Sequence, residues 1–359
     1  MNVPKLRFKE FNDEWINNCL SDIATITMGQ SPSSKNYTSN KNDIILIQGN
    51  ADLNNGHVVP RIFTTQITKT CNINDIIMTV RAPVGDTAIS YYNACIGRGV
   101  CAISGDKYIY HYLNYLKIND YWKKISKGST IDSITSNDIR NLNINFPNST
   151  ETKKIVKTLD LLDKKIFLQT KKIEDLKLFK LCNYDNLFSN QTHEVQLKNI
   201  SKIEKGKQLN NELLIENGSY YMLNGGVSPS GYTNEYNANE NTITISEGGN
   251  SCGYVNFNKN KFWCGGHCYK VIPNGINNNY LYHNLKYNEK KIMDLRVGSG
   301  LPNIQKKDIE NFKISIHNEN EQLKISNYFD RYDLKIELEE LKLNKLIELK
   351  KGLMQNMFV

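Results

Sequence analysis

Residues 151–166 read ETKKIVKTLDLLDKKI, and residues 321–336 read EQLKISNYFDRYDLKI. At a constant offset of 170 residues the two segments share Glu151/Glu321, Lys154/Lys324, Ile155/Ile325, Asp160/Asp330, Asp163/Asp333 and Ile166/Ile336. The same offset relates Asp138 to Asp308 upstream and Phe188 to Phe358 downstream. One register held over so long a stretch without a gap indicates an internal duplication.

Both segments carry the apolar period of a long helix, with few residues that break helices. The predicted seam is Ile155, Leu159, Leu162, Ile166, Gln169, Ile173 and Leu176 in the first copy, and Ile325, Phe329, Tyr332, Ile336, Glu339, Leu343 and Leu346 in the second. The candidate capping residues are Asn148, Ser149 or Thr150 before Glu151, and Asn318 or Asn320 before Glu321. This pattern is typical of a coiled coil.

A helix of about 38 residues is roughly 57 Å long, which is too long to bury its apolar stripe against one small domain. We therefore expect the two helices to pair as an antiparallel coiled coil. A pseudo-two-fold internal repeat then lets both copies make the same connections. Each globular head is predicted to lie where the helix of the other copy ends, so that the heads sit at opposite ends of a rod.

The rest of each copy has the composition of an α/β (α+β) head, with short β-branched runs broken by Gly, Asn and Pro, and some helix. The predicted order is a first head at 1–150, a first helix at 151–188, a second head at 189–318 and a second helix at 319–359. Helices inside the heads are expected at 108–125 and 280–295. Aligning the heads with each other matches Gly29 with Gly206, 76–80 with 242–246, Ile96-Gly97 with Cys264-Gly265, and Val100 with Cys268.

Composition and charge narrow the classes of protein. The 359 residues are enough for two domains with separate cores, and the formal net charge of +8 favours a polyanionic partner. The sequence contains no run of about 18 apolar residues, which a membrane-spanning helix would need. The first residues lack a signal-peptide pattern, so we expect a cytoplasmic protein.

The eight cysteines are scattered without a CxxC pair. Cys252, Cys264, His267 and Cys268 leave a zinc site open, but their spacing matches no common zinc finger. Apolar residues of the first head stand opposite Cys264 and Cys268, which favours core packing. We expect no metal.

The sequence offers no catalytic constellation. There is no GxGxxG or Walker loop, and the glycines of 248–253 are too loosely spaced to form one. His267 and Cys268 are neighbours on a predicted strand, where side chains point to opposite faces. Glu348-Leu349-Lys350 lies on the coiled-coil helix without a paired aspartate. The chain is therefore expected to bind rather than to catalyse.

These features resemble the specificity subunit of Type I restriction-modification systems over the whole chain. The resemblance rests on the head–helix–head–helix order and the duplicated helices. It also rests on four local motifs: Lys5-Leu6-Arg7-Phe8-Lys9-Glu10-Phe11 before Trp15, Gly29-Gln30-Ser31-Pro32-Ser33, Arg81-Ala82-Pro83-Val84-Gly85-Asp86, and the Gly-Ser-Thr turn at Gly128.

The resemblance implies that the heads are target-recognition domains, each of which reads one half of a bipartite, asymmetric double-stranded DNA target. It implies that the helices recruit two methyltransferase subunits, and that motor-nuclease restriction subunits join this core. S-adenosylmethionine is then bound by the methyltransferase subunits, and this chain holds no cofactor. The second head departs from the pattern because it lacks both the Ser-Pro turn and the Arg-Ala-Pro motif.

Side chains with fixed donor and acceptor patterns read bases, and cations and hydroxyls contact phosphates. In the first head the candidates are Gln30, Ser31, Ser33, Lys35, Tyr37, Gln48, Asn50, Arg81 and Arg98. Arg81 is the leading candidate because a guanidinium forks onto guanine O6 and N7 as an ammonium cannot. The structural alternative for Arg81 is a surface salt bridge.

The second head offers Lys205, Lys207, Gln208, Asn224, Glu247, Asn250 and His267. The alignment places Glu247 near the position of Arg81, and a carboxylate can accept from cytosine N4. We therefore expect this loop to read bases in both heads, with the exchange changing the preferred base. His267 could equally be a structural histidine.

Both heads carry a glycine turn suited to phosphate, and cations precede each turn. The candidates there are Lys127, Ser129 and Thr130 in the first head, and Arg296 and Ser299 in the second. The alternative is that glycine only permits a tight turn.

Two other functions stay open from the sequence alone. One is a duplicated α/β nucleic-acid-modifying enzyme or hydrolase with a coiled-coil dimerisation arm. The other is a scaffold whose heads bind proteins.

Overall fold

The structure is a computed structural model that describes residues 3–125, 133–189, 193–298, 300 and 302–359. It divides into two compact units. Unit 1 comprises Met1–Lys171 and Leu341–Val359, and unit 2 comprises Lys172–Glu340. Each unit therefore contains one head together with a part of both long helices.

The helices in chain order are α1 (Leu20–Ile23), α2 (Lys107–Ile118), α3 (Tyr121–Ile125), α4 (Ser136–Arg140), α5 (Ser149–Phe188), α6 (Leu197–Ile200), α7 (Asn278–Tyr287), α8 (Glu289–Met293), α9 (Lys306–Asn311) and α10 (Glu319–Met357). The predicted helices at 108–125 and 280–295 are confirmed, although each is split into two. The first splits at Asn119-Asp120, where Asp120 has a φ of 54°.

The strands of unit 1 are β1 (Ile16–Cys19), β2 (Thr25–Met28), β3 (Tyr37–Thr38), β4 (Ile44–Ile47), β5 (Leu53–Asn54), β6 (His57–Val58), β7 (Ile62–Thr64), β8 (Lys69–Cys71), β9 (Ile76–Thr79), β10 (Thr87–Ile89), β11 (Ala94–Ile96), β12 (Val100–Ser104) and β13 (Asn143–Phe146). They form a β1-β13 pair, a sheet ordered β2-β12-β9-β10-β6-β5 and a sheet ordered β3-β7-β4-β11-β8. The parallel pairs β10-β6 and β11-β4 make both larger sheets mixed.

The strands of unit 2 are β14 (Glu194–Gln196), β15 (Ser201–Lys205), β16 (Tyr220–Leu223), β17 (Gly231–Thr233), β18 (Thr242–Ser246), β19 (Val255–Asn258), β20 (Trp263–Cys264), β21 (Cys268–Pro273) and β22 (Lys313–Ser315). They form a β14-β22 pair, a sheet ordered β15-β21-β18-β19 and a sheet ordered β17-β16-β20. The order β2-β12-β9-β10 of unit 1 recurs as β15-β21-β18-β19, which confirms that the heads are two copies of one α/β module.

The predicted helix starts and seam are confirmed. Asn148 Oδ1 accepts from Glu151 N at 2.9 Å, and Asn318 Oδ1 accepts from Glu321 N at 3.0 Å, so asparagine caps both helices. Every predicted seam position is buried or half-buried, whereas leucines between the seam positions, such as Leu161 and Leu338, are exposed.

Within each unit the two helix segments run antiparallel. In unit 2, Lys172 pairs with Glu339 and Lys180 with Asp333, so rising numbers on α5 meet falling numbers on α10. In unit 1, Ile155 at the start of α5 shares one core with Phe358 just beyond the end of α10.

Each head packs against the C-terminal end of the other copy's helix, as the sequence predicted. In unit 1 the ring centroid of Phe358 lies 5.3 Å from that of Tyr108 and 5.4 Å from that of Tyr115. In unit 2 the ring centroid of Phe188 lies 5.7 Å from Tyr280 and 5.4 Å from Tyr287.

The segment up to Trp15 is hydrogen-bonded to the start of α5. Arg7 donates two hydrogen bonds of 2.8 Å to the carboxylate of Glu151, and Trp15 Nε1 donates a third at 3.2 Å. Glu151 is completely buried, so this bidentate pair satisfies a charge that burial alone would penalise.

Among the helices of the described residues, none is both long and apolar enough to cross a bilayer.

Candidate nucleic-acid interface

A cleft of about 510 Å³ opens in the first head. Its lining residues are Ser31, Pro32, Ser34, Tyr37, Gln48, Gly49, Asn50, Arg81, Ala82, Arg98 and Gly99. Six of the predicted contact residues are among them: Ser31, Tyr37, Gln48, Asn50, Arg81 and Arg98. Four separate loops thus bring their polar side chains to one concave surface, which we call the first reading cleft.

Backbone hydrogen bonds between loops fix the first reading cleft. Gly29 N donates to Val100 O at 3.0 Å, Gln30 N to Ile96 O at 2.9 Å, and Gly97 N to Ile47 O at 2.7 Å. A Cβ atom on Gly29 would lie 2.1 Å from the carbonyl oxygen of Gly97, so only glycine permits this approach. The loops are therefore held to one another by backbone contacts that do not depend on the reading side chains.

The two arginines of the cleft are exposed, and neither guanidinium forms an ion pair with any residue that the structure describes. The salt-bridge alternative for Arg81 therefore finds no support among these residues. The Nε2 of Gln48 is buried and has no hydrogen-bond partner within the described chain. Arg98 N donates to Ser31 Oγ at 3.1 Å, which ties two of the reading loops together.

Three predicted residues of the first head do not line the cleft. The backbone amide of Ser33 donates to Gln66 Oε1 at 2.9 Å, so this residue orders the loop. Lys35 is half-way along the adjacent 3₁₀ turn at 34–36 and exposed, and Gln30 takes part through its backbone.

The second head repeats the same backbone hydrogen bonds. Gly206 N donates to Cys268 O at 2.8 Å, Lys207 N to Cys264 O at 2.9 Å, and Gly265 N to Leu223 O at 2.7 Å. These bonds make Lys207 equivalent to Gln30, Gln208 to Ser31, and Asn224 to Gln48. The two heads therefore share one backbone frame, by which we mean these hydrogen bonds between loops. The side chains at equivalent positions of the frame differ.

The predicted equivalence of Glu247 and Arg81 is wrong by one residue. Arg81 bridges Ser133, whereas Gly248 bridges Asn303, which is the residue 170 positions after Ser133. Likewise Ile134 N donates to Val80 O, and Ile304 N donates to Glu247 O. Gly248 is therefore equivalent to Arg81, and Glu247 is equivalent to the buried Val80.

Glu247 lies beneath the surface of the second head, with 5% of the residue exposed. Its Oε1 lies 2.5 Å from Lys205 Nζ and accepts from Tyr269 OH at 2.9 Å. Burial raises the pKa of the Glu247 carboxyl, but the hydrogen bonds from Lys205 and Tyr269 outweigh burial and hold it below its ordinary value. The carboxylate is thus already satisfied inside the protein.

His267 lies next to the Glu247 carboxylate and is more exposed than it. Its Nδ1 is 3.4 Å from Glu247 Oε2, and 63% of its side chain is exposed. The backbone amide of His267 donates to Asn224 Oδ1 at 3.1 Å. A Cβ atom on Gly266 would lie 3.1 Å from Gln208 Oε1, which places Gln208 beside the same loop. Lys205, Gln208, Asn224 and His267 therefore form a polar surface that we call the second reading surface.

Seven predicted residues remain to be placed. Lys207, Asn250 and Arg296 are exposed, with Asn250 in the 3₁₀ turn at Gly249–Ser251. Lys127, Ser129, Thr130 and Ser299 lie outside the described residues.

The cysteines considered for zinc are core residues. Cys252, Cys264 and Cys268 are all buried, and the last two pack in one apolar cluster with Phe262. Within the described chain, the one group with metal-ligand composition is His111, Asp160 and Asp163 in unit 1. There Lys107 Nζ lies 2.8 Å from Asp160 and Lys350 Nζ lies 2.5 Å from Asp163, so amino groups already neutralise both carboxylates.

Sequence reasoning missed Asp52, which fixes one loop of the first reading cleft. Asp52 is buried, and its Oδ2 accepts from Gln48 N at 2.8 Å and from Gly49 N at 3.2 Å. A buried aspartate that binds backbone amides fixes the turn that presents Gln48. Its sequence context, Asn50-Ala51-Asp52, is an ordinary polar turn and gives no such signal.

The sequence matches the model of one protein family, described as the Type I restriction modification DNA specificity domain, over residues 12–178 and 190–349. These ranges cover most of the chain and correspond to its two copies.

Two similar relatives are described as type I specificity subunits. One, from Methanocaldococcus jannaschii, is 32% identical over 161 residues, which is 43% of this chain and 37% of the relative. The other, from Mycoplasma pneumoniae, is 36% identical over 172 residues, which is 47% of this chain and 44% of the relative. The chain thus matches less than half the length of each.

A solved structure has the same fold over the whole chain. The crystal structure of the S subunit of a Type I restriction-modification system from M. genitalium aligns with a TM-score of 0.70 and 21% identity, and covers 99% of both chains.

Proposed function

Since the chain belongs to the Type I restriction modification DNA specificity domain family, we propose that it is the sequence-reading subunit of a Type I restriction-modification complex. Each head reads one half of a bipartite double-stranded DNA target. The observation that carries this proposal is the common backbone frame of the two heads, which presents different polar side chains at equivalent positions.

The exchanged side chains are of the kinds that distinguish bases. Gln48 and its equivalent Asn224 both carry amides, which can pair with the N6 and N7 edge of adenine. Arg81, suited to guanine, is replaced by Gly248. The two half-sites therefore differ in sequence, and the target is asymmetric.

Cations near these surfaces supply the affinity that does not depend on sequence. Arg98 in the first head and Lys205 and Lys207 in the second are exposed. Such side chains bind phosphates and release counterions, so binding weakens as salt rises. The net charge of +8 agrees with this role.

The long helices carry the surface for protein partners. The exposed large apolar residues are Leu161, Phe167, Leu168, Leu178, Phe179 and Leu181 on α5, and Leu323, Tyr328, Leu334, Leu338, Leu341, Ile347 and Leu349 on α10. Large apolar side chains that remain exposed on a helix are typical of protein interfaces. We assign it to two methyltransferase subunits, which bind S-adenosylmethionine, with restriction subunits joining the assembled core in the cytoplasm.

Methylome sequencing tests the proposal. A host that lacks adenine methylation receives this chain together with its methyltransferase subunit, and one bipartite asymmetric motif is expected to become methylated. The methyltransferase alone is the first control. The purified chain alone, incubated with DNA and S-adenosylmethionine, is the second and is expected to transfer no methyl group. Methylation by this chain alone would contradict the proposal.

Replacing Arg81 with alanine tests the leading reading residue. We expect Arg81→Ala to relax the base preference at one position of one half-site and to weaken binding by about 1–3 kcal/mol. The matched control is Lys41→Ala in the same head, because Lys41 is an exposed cation that does not line the cleft. An unchanged motif in the Arg81 variant would exclude this residue from base reading.

A further inference from the structure

In unit 1 a buried histidine of the head is hydrogen-bonded to α5, and α5 is ion-paired with α10 beside it. His111 lies on α2, its side chain is completely buried, and its Nε2 is 2.9 Å from Asp160 Oδ1 of α5. Asp163, one turn further along α5, has its Oδ2 4.0 Å from His111 Nδ1. The Oδ1 of Asp163 lies 2.5 Å from Lys350 Nζ of α10. One polar cluster therefore joins the head, α5 and α10.

Unit 2 contains the same cluster with the roles of the two helices exchanged. His283 lies on α7, is completely buried, and places its Nε2 2.9 Å from Asp330 Oδ1 of α10. Asp333 lies 4.0 Å from the same nitrogen and 2.5 Å from Lys180 Nζ of α5. The aspartates and the lysines of the two clusters are related by the 170-residue offset.

The imidazoles act as neutral donors in these clusters. Burial lowers the pKa of both His111 and His283, against the opposing effect of the hydrogen bonds to Asp160 and Asp330. A neutral imidazole whose Nε2–H donates to a carboxylate has a fixed tautomer and a fixed ring orientation. Each histidine therefore sets the direction in which its head helix meets the long helices.

The two clusters differ in the groups that complete them: Lys107 Nζ lies 2.8 Å from Asp160 Oδ2 in unit 1, whereas Asn279 Nδ2 donates to Asp330 Oδ2 at 2.7 Å in unit 2. Tyr184 OH lies 2.9 Å from His283 Nδ1, so both nitrogens of this ring have partners. The position 170 residues after Tyr184 is Met354, and His111 Nδ1 has no hydrogen-bond partner among the described residues. The cluster of unit 2 is thus the more completely satisfied of the two.

We propose that His111 and His283 are positioning residues, each of which clamps its head at one orientation on the helices and thereby sets the spacing at which the half-sites are read. Both heads contain the clamp, although their reading side chains differ, as at Arg81 and Gly248. The clamp therefore has a role that is common to both heads. A head that pivots on its helices moves its reading surface along the DNA. This inference rests on the proposed function.

The test compares duplexes whose half-sites stand at the natural spacing with duplexes in which one base pair is added or removed. The full chain, bound to its methyltransferase subunits, is titrated with each duplex. The variants are His111→Leu and His283→Leu, which remove the donor, and His111→Gln and His283→Gln. The Gln side-chain nitrogen can replace Nε2, so the Gln variants are the matched controls.

We expect each Leu variant to reduce the affinity ratio between natural and altered spacing by about tenfold, which is about 1.4 kcal/mol. The Gln variants are expected to keep the ratio of the natural protein, and the preferred bases stay unchanged in all four. The effect is expected to be larger for His283→Leu, because it also leaves Tyr184 without its partner.

A uniform loss of affinity with the spacing ratio preserved would overturn the positioning role and leave only a structural one. If a Leu variant does not fold, Lys180→Gln and Lys350→Gln replace it, and they are expected to shift the ratio in the same direction. If the natural protein binds no bipartite duplex, the proposed function itself fails. If it binds with a sharp spacing preference that the variants keep, only the clamp fails.

Discussion

Under the proposed function, the exchange of Arg81 for Gly248 changes what a head reads at one position of a backbone that both heads share. Both residues form a single antiparallel bridge, to Ser133 and to Asn303 respectively, so their backbones are equivalent. Only the side chain differs. The first head carries a guanidinium at this position, whereas the second head has glycine and no side chain. The difference can be tested by substituting one residue for the other.

Gly248 has room for a larger residue. Its φ is −151°, which any residue adopts, and a Cβ atom there would lie 3.4 Å from its nearest neighbour, Pro302 O. We expect Gly248→Arg to fold normally and to add a preference for guanine at one position of the second half-site. Motif analysis by methylome sequencing measures this. The first half-site serves as the internal control, and an unchanged second half-site would refute the exchange.

Glu247 makes the stability of the second head depend on pH. Because its pKa is lowered in the folded protein, its contribution is present above its ordinary pKa of 4.5 and is lost as the pH falls through the folded value. We expect Glu247→Gln to destabilise the protein at pH 7 by about 1–3 kcal/mol. Chemical denaturation at pH 7 and under acid measures the difference between the two proteins, which should shrink on acidification. A constant difference would contradict this.

The sequence predicted most lining residues of the first reading cleft, because polar side chains in loops after β-rich runs are recognisable. It placed Glu247 wrongly because β9, the strand before Arg81, lies in the middle of its sheet and is buried on both faces. All four residues Ile76–Thr79 are buried. A strand buried on both faces has no alternation of polar and apolar residues, so a slip of one residue leaves no trace in the pattern.

At the scale of elements, the long helices were the most predictable part. Their period, their asparagine caps and their antiparallel pairing within each unit all follow from apolar spacing and length. The sheets were less predictable. Parallel pairs such as β10-β6 and β11-β4 join short strands far apart in the sequence, and nothing local specifies such partners.

The aromatic end of α10 is expected to contribute strongly to the stability of unit 1. Phe358 is 3% exposed and packs against Tyr108, Tyr112 and Tyr115. We expect Phe358→Ala to cost about 3–5 kcal/mol, as truncation of a buried phenylalanine commonly does.

Phe179→Ala is the matched control for this variant, because Phe179 lies on α5 with 52% of the residue exposed. Denaturation followed by circular dichroism compares the two variants. Equal losses of stability would show that the end of α10 is not a packing site.

At the scale of the whole molecule, the duplication places two related readers in one chain. A homodimer would present two identical heads and would select a symmetric target. Under the proposed function, two diverged copies in one chain select two different half-sites, and either copy can change without the other. Under the same proposal, an asymmetric target therefore follows from duplication and divergence.

A chain with two first heads tests this relation. If 189–318 is replaced by the corresponding first head, joined at the same helix ends, we expect the methylated motif to become an inverted repeat of the first half-site. Methylome sequencing measures the motif, and the natural chain is the control. Persistence of the second half-site in the chimera would show that the heads do not read independently.

The duplicated histidine clusters also bear on how such proteins acquire new targets. In each copy a buried histidine of the head contacts an aspartate of one long helix, and a lysine of the other long helix completes the cluster. A gene segment that encodes a foreign head can be accepted by recombination when it brings a histidine at the matching place on its helix. A new specificity is then gained by exchange of a whole head, without a series of weakly functional point mutants.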